Sequence, residues 1–353
     1  MRKVAVLSFF IAVCICLVSQ AENANSPGFV QTLKLSDFVC SGDFESLVRE
    51  GKKVSSEDNL YVLTKLTLLS APSELASTLE KGSVGKVIVK ELSDIDRLIF
   101  ASALMRSNSI DHLRMMELLS FHSSNSIIEA YRKYHVAKLE YNISPTQSFD
   151  KVIQAFYDLP YLDASLLHQI FLLGLRDKHP ELVLKQFFPY IDQLPEKSAA
   201  HYLLQADKDF LLSRVNRNEI DISAIQAAYG LCKYDMDVAI FYASLLVNKK
   251  MNDEAERVLL ALVEKYPKYP VYVDLTLAKI FFIKNDLKNG KKYFDRANQK
   301  KELLEKDNQK ELEGLSVATR NRDSYLIWIL AGAAFLVGCA FLIYRKLKIK
   351  KYI

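Results

Sequence analysis

Glycine and proline are scarce in this chain, 11 and 9 among 353 residues, about half of what average usage supplies. Sandwiches and barrels draw on both for their many tight turns, so the shortage favours a mostly helical protein. Histidine is scarce too. None of His112, His122, His135, His168, His179 and His201 stands three or four positions from another, so the HxxxH or HExxH spacing of a helical metal site is absent. No CxxC, glycine-rich phosphate loop, GxGxxG or GxSxG occurs, which removes the usual footholds of zinc clusters, nucleotide binding and α/β-hydrolase chemistry. No cofactor or metal is expected, and no catalytic residue is assigned. The paired carboxylates Asp94 with Asp96, and Asp235 with Asp237, stand where helix caps account for them.

Net positive charge is confined to the ends. The chain carries a formal +5, yet Arg2, Lys3, Arg345, Lys346, Lys348, Lys350 and Lys351 all lie in its terminal segments. Setting those seven aside leaves 40 basic residues against 42 acidic, which argues against nucleic acid as a partner.

What is present begins at those same ends. Residues 1–21 read as a signal peptide: Arg2-Lys3, an apolar run from Val4 to Val18, then Ser19-Gln20-Ala21 with cleavage after Ala21. Residues 325–344, from Tyr325 to Tyr344, carry no charge; as a helix rising about 1.5 Å per residue they cross about 30 Å of hydrocarbon. Tyr325, Trp328 and Tyr344 fall near the headgroups, and the basic tail 345–353 marks the cytoplasmic side. The expectation is a single-pass protein of the cytoplasmic membrane, its bulk extracytoplasmic or periplasmic and its C-terminus cytoplasmic. Ala334 and Gly338 form a small-xxx-small pair through which two spans could make a weak homodimer. With Cys14 and Cys16 in the signal and Cys339 in the span, Cys40 and Cys232 are left for the exported region. That location permits a disulfide, whereas their separation of 192 positions and the apolar helical surroundings of Cys232 favour two buried free thiols.

Between the ends, apolar residues recur at three- and four-residue spacing, broken every dozen or two by short polar turns. Ser93-Asp94, Ser144-Pro145, His179-Pro180-Glu181 and Leu194-Pro195-Glu196 read as helix starts. A linker is placed near 82–85, with Val87-Ile88-Val89 as the best candidate for a short extended piece. The expected organisation is a helical segment over 22–92 and a repeat domain over 93–320, closed by a charged helix over 298–320.

Toward the carboxy-terminal side the chain repeats itself. Ala243 lies on one helix, Ala255 begins the next, Leu262 follows and Pro267 stops it; thirty-five residues on, Ala278, Gly290 and Ala297 take the corresponding places, with Asn285 in the turn. Small residues at those points let two antiparallel helices cross closely. The pattern resembles the tetratricopeptide repeat over about 235–300, as two degenerate copies: the glycine beside the first small position is absent, Leu262 is large, and Lys250 occupies the usual turn glycine. The resemblance implies an all-α fold, a helical-hairpin solenoid or superhelix, to which the uncharged 325–344 stretch adds one C-terminal transmembrane helix. It implies a groove that binds proteins or peptides, with Tyr242, Asn248, Lys279 and Lys284 as the residues facing it.

The function so read is that of a membrane-anchored extracytoplasmic scaffold rather than an enzyme. Rival readings are a structural subunit of a cell-envelope or secretion complex, and an envelope enzyme with an unrecognised site. Glu45-Ser46 is similar to the acid pair of peptidoglycan-cleaving transglycosylases, but their Gly-Leu-Met-Gln motif has no counterpart here.

Overall fold

The computed structural model describes residues 37–54, 59–83, 89–106, 111–143, 145–159, 164–176, 191–192, 194, 196–304 and 306–316. Among the described residues every regular element is helical. The α-helices are α1 (Phe44–Gly51), α2 (Asn59–Leu68), α3 (Pro72–Ser83), α4 (Asp94–Arg106), α5 (His112–Leu118), α6 (Ser126–Ile143), α7 (Pro145–Tyr157), α8 (Ala164–Arg176), α9 (Ala199–Asn216), α10 (Ser223–Leu231), α11 (Met236–Asn248), α12 (Asn252–Lys265), α13 (Val271–Ile283) and α14 (Leu287–Asn298). A further helix covers 306–316. The chain divides into two compact units, Met1–Val273 and Asp274–Ile353.

Local chemistry explains where many of these helices begin. Asp43, Asp111, Ser198, Asp235 and Asp286 each accept a hydrogen bond from the backbone N–H three residues on, at 2.9 to 3.1 Å. Such a cap satisfies an otherwise orphaned donor and contributes about 1 kcal/mol. Ser93 does the same more loosely for Asp96, at 3.3 Å.

Several boundaries differ from those expected. Leu194-Pro195-Glu196 does not start a helix; α9 starts at Ala199, because Ser198 rather than the proline supplies the cap. Gly82 and Ser83 end α3 instead of opening a linker. Val89 begins a single 3-10 turn, Val89–Glu91. The charged stretch from 298 is not one helix: α14 ends at Asn298, a 3-10 turn covers Lys301–Leu303, and Leu304 adopts an extended backbone. The signal peptide, the 325–344 span with Ala334 and Gly338, the tail, Cys14, Cys16 and Cys339, and His179-Pro180-Glu181 lie outside the described residues. Among those described, no helix is long and apolar enough to cross a membrane.

In the first unit, sequence neighbours pack as pairs, most extensively α6 with α7, α9 with α10 and α11 with α12. One hydrophobic core runs from Val62 on α2 to Leu211 on α9, with Leu98, Tyr134, Leu139, Tyr141, Val152 and Phe171 wholly withdrawn from water. The helices before position 160 therefore share their core with those after it. A smaller cluster of Leu69, Leu75, Leu79 and Ala103 joins α3 to α4.

The turn between α11 and α12 and the turn between α13 and α14 match bond for bond at the 35-residue interval. Met251 N–H donates to the Leu246 carbonyl and Asp286 N–H to that of Phe281, both at 2.9 Å. Lys250 N–H donates to Val247 and Asn285 N–H to Phe282, at 3.0 and 3.1 Å. This pair of bonds is a Schellman motif, which demands a left-handed residue after the helix; Lys250 (φ 61°) and Asn285 (φ 66°) supply it. Lysine bears that conformation at a cost glycine does not. Lys250→Gly is accordingly expected to raise stability by about 0.5–1 kcal/mol, while Lys249→Gly, where φ is −84°, should lower it. Thermal unfolding of the two variants side by side checks both signs.

The small residues of the repeat are buried as their spacing required. Ala243, Ala255, Ala278 and Ala297 are fully covered and Leu262 nearly so; Pro267 is exposed, one residue beyond the end of the Lys265–Tyr266 cap. At Gly290 a Cβ would stand 2.6 Å from the Phe282 ring. α13 and α14 approach closely there because nothing projects between them. Elsewhere in the second unit Phe281 stacks on Tyr293 at 5.6 Å, and Arg296 pairs with the buried Asp274 at 3.4 Å.

Candidate functional site

Charged side chains converge inside the first unit from six separate elements. α4 brings Arg106 at its end, α6 brings His135 and Lys138, α8 brings His168 and Gln169, and α9 brings Asp207. Asp235 and Asp237 stand at the start of α11, and Tyr266 follows α12. On α6 the three-residue spacing of His135 and Lys138 keeps both on one face.

At its deepest point His168 and Asp207 form an ion pair, each only 2% exposed. His168 Nδ1 lies 2.9 Å from both carboxylate oxygens, and its ring packs on Phe241 at 5.3 Å. Burial works against the imidazolium. The Asp207 charge and hydrogen bond, reinforced by Asp237 and Asp235, outweigh it and lift the His168 pKa to about 9. The pair therefore holds its proton at neutral pH.

Around the pair, burial and neighbouring charge set each group differently. Desolvation pushes the Asp235 carboxyl up to about 6, and Asp237 adds to the push, while the Val238 amide, Arg106 and His168 oppose it. Lys138 is drawn down to about 8 by burial, with Asp237 opposing and Arg106 reinforcing; its ammonium donates to Gln169 Oε1. His135 is pulled to about 3 by burial and by the charges of Lys138 and Arg106. It is thus neutral, with Nε2 2.8 Å from Ser102 Oγ. Tyr266 is raised above the ordinary phenol range, chiefly by burial, and its hydroxyl donates to the Tyr234 carbonyl at 2.6 Å. Lys138 and His168 thus lie among the carboxylates of Asp207, Asp235 and Asp237, while Arg106 acts on them from the exposed end of α4, where its guanidinium donates to Ser70 Oγ at 3.4 Å. Such a network specifies packing more than it drives chemistry. Among the described residues no group of three or more His, Cys, Asp or Glu side chains is placed to hold a metal.

The amino-terminal segment docks beside this network. Cys40 is joined to Cys232 by a disulfide, which corrects the free-thiol reading: distance along the chain is no guide once the segment folds back. Gly42, at φ 74°, lies so close to the Tyr234 ring that a Cβ would meet it at 2.5 Å. Phe44 sits edge-on to Tyr266 at 6.0 Å. The Lys265 ammonium lies over both Phe44 and Tyr234, 4.9 and 5.1 Å from their centroids.

The residues expected to face a groove are dispersed. Tyr242 is 2% exposed; its hydroxyl donates to Glu254 Oε1 at 2.6 Å and its ring packs on Tyr229 at 5.0 Å. Its side chain is enclosed between α10 and α12, with Tyr229 on one and Glu254 on the other. Asn248 is exposed and borders an open depression of about 390 Å³ with Ser213, Arg214, Arg217, Asn218 and Ile220. Lys279 pairs with Glu311, and Lys284 is exposed in the turn after α13. Of the scattered histidines, His122 is exposed in a loop 3.6 Å from Glu129, and His168 is fully enclosed. Glu45 and Ser46 lie in the first turn of α1, where Asp43 caps Ser46.

The charged network escaped the sequence reading because its members are far apart in the chain. One signal was available: His168 stands directly after Leu166-Leu167, and a polar residue in an apolar run has to find a partner. No protein-family model, no curated protein and no solved structure matches this chain.

Proposed function

We propose that this protein is a membrane-anchored, extracytoplasmic scaffold that holds a protein or peptide partner on tetratricopeptide-like helical hairpins. The observation that carries the reading is the bond-for-bond repetition of the α11–α12 and α13–α14 turns at 35 residues. Repetition of one hairpin is the means by which helical arrays build extended binding surfaces. A disulfide between Cys40 and Cys232 is consistent with an oxidising compartment outside the cytoplasm. The uncharged 325–344 stretch would hold the scaffold at the membrane surface, and Asn248 with the arginine-lined depression offers polar contacts to a bound chain.

The test is crosslinking in intact cells, followed by purification through a tag on the mature amino terminus and mass spectrometry. One or a few envelope proteins in stoichiometric amount are expected. Their persistence in one large complex in mild detergent would instead favour a permanent structural subunit. Recovery of none across several growth conditions overturns the scaffold reading.

A further inference from the structure

Residues 37–51 are held to the hairpin end very unevenly. Within the segment, helix and turn bonds satisfy the backbone: Asp43 caps α1, and Gly42 N–H donates to Val39. Outward, among the described residues, the segment makes a single hydrogen bond, from Lys265 Nζ to the Gly42 carbonyl at 3.5 Å. Among the described residues no ion pair links it to the hairpin; Glu50 pairs with Arg49 inside the segment and with Lys53 just beyond it. What else holds the segment is the burial of Val39 and Leu47, the ring contacts of Phe44 and Gly42, and the covalent bond of Cys40 to Cys232. The hairpin end, by contrast, is complete without the segment. Tyr266 bonds Tyr234, Asp235 caps α11 through Val238, and Cys232 N–H donates to Ala228.

We infer that the Cys40–Cys232 disulfide is a redox-operated catch: reduction releases residues 37–43 from the hairpin end and uncovers the Tyr234 ring and the Lys265 ammonium beside the charged network, without unfolding the helices beneath. Access favours this direction of attack. Cys40 is partly exposed while Cys232 is 3% exposed, so an incoming thiolate meets the Cys40 sulfur and Cys232 departs as a thiolate. The reductant is a protein dithiol of the compartment. Its first thiolate forms a mixed disulfide with Cys40 as the Cys40–Cys232 bond breaks. Its second thiol then attacks that mixed disulfide, leaving the reductant oxidised. Two electrons pass to the chain and two protons end on Cys40 and Cys232. The uncovered Tyr234 ring and Lys265 ammonium can then receive another backbone segment as they now receive Gly42.

The inference does not depend on the scaffold reading, since it is tested on the purified full chain in detergent without any partner. Peptide mapping under non-reducing conditions should find the Cys40–Cys232 link, and hydrogen exchange is then followed with and without dithiothreitol. Reduction is expected to speed exchange at residues 37–43 by about tenfold or more, with residues 232–236 and α6 to α9 unchanged. Cys40→Ser should show the same pattern without reductant. Unchanged exchange at 37–43 overturns the proposal, because the segment would then hold by packing alone. A rise throughout α6 to α9 also overturns it, marking the disulfide as a staple of the whole fold. So does finding both thiols free in chain isolated with thiols blocked.

Discussion

Asp207→Ala is expected to lower the stability of this protein by about 3–5 kcal/mol, the usual cost of stripping one partner from a buried ion pair. The reason lies in what remains. His168, 2% exposed and packed on Phe241, would have to stay charged without its counter-ion or give up its proton. Replacing both members, as in His168→Leu with Asp207→Leu, should recover much of the loss, because two apolar side chains carry no desolvation penalty. The measurement is the denaturant midpoint of the four chains that make up the cycle.

The same pair sets a dependence on pH. His168 has a folded pKa of about 9 against an ordinary 6.5, so the folded state binds the proton more tightly than the unfolded. Its contribution is fully present below about pH 6.5 and is lost as pH rises through 9, to the extent of roughly 3 kcal/mol. Stability measured between pH 6 and 8, below the point where Lys138 loses its proton in the fold, should fall over that window in the natural chain, and the fall should vanish when His168 is replaced. A flat profile in the natural chain, together with a loss below about 1 kcal/mol for Asp207→Ala, would mean the pair is not buried as described.

Tyr242→Ala is the second large effect, about 3–5 kcal/mol. The ring lies against Tyr229 and is 2% exposed, so its removal leaves a cavity. Tyr242→Phe keeps the packing and loses only the bond to Glu254, at a cost of about 1 kcal/mol. The two variants separate the two roles assigned to this residue. A groove residue would weaken partner capture and leave the unfolding transition in place; a core residue lowers the transition first. The second outcome is expected.

Tyr242 also shows where reading from sequence stops. Helical periodicity placed it on α11, and an aromatic polar enough for solvent was assigned to the surface. Which face of α11 meets a neighbour depends on the crossing of α11 with α12 and on Tyr229 from α10, and no local pattern contains that. The αL turns were more legible. Asn285 marks its own position, and the 35-residue interval carries it to Lys250, where a lysine would not otherwise be placed. Asp235 was legible by half: its role as the cap of α11 follows from the residues after it, but its part in a network with Asp237, Arg106 and His168 does not.

By itself the sequence determined the helical class, the helix starts at Ser93-Asp94 and Ser144-Pro145, and the closely packed alanines and glycine of the hairpins. All of these rest on interactions within a turn or two of chain: caps, φ preferences and the spacing of small residues. The tertiary structure alone decided that Cys40 meets Cys232, that His168 is answered by Asp207, and that Tyr242 turns inward. Those contacts join elements distant in the chain or set by how neighbouring helices cross. The long-range ones, each closing a loop, form only once hydrophobic burial has brought the helices together to offset the entropy of closing it.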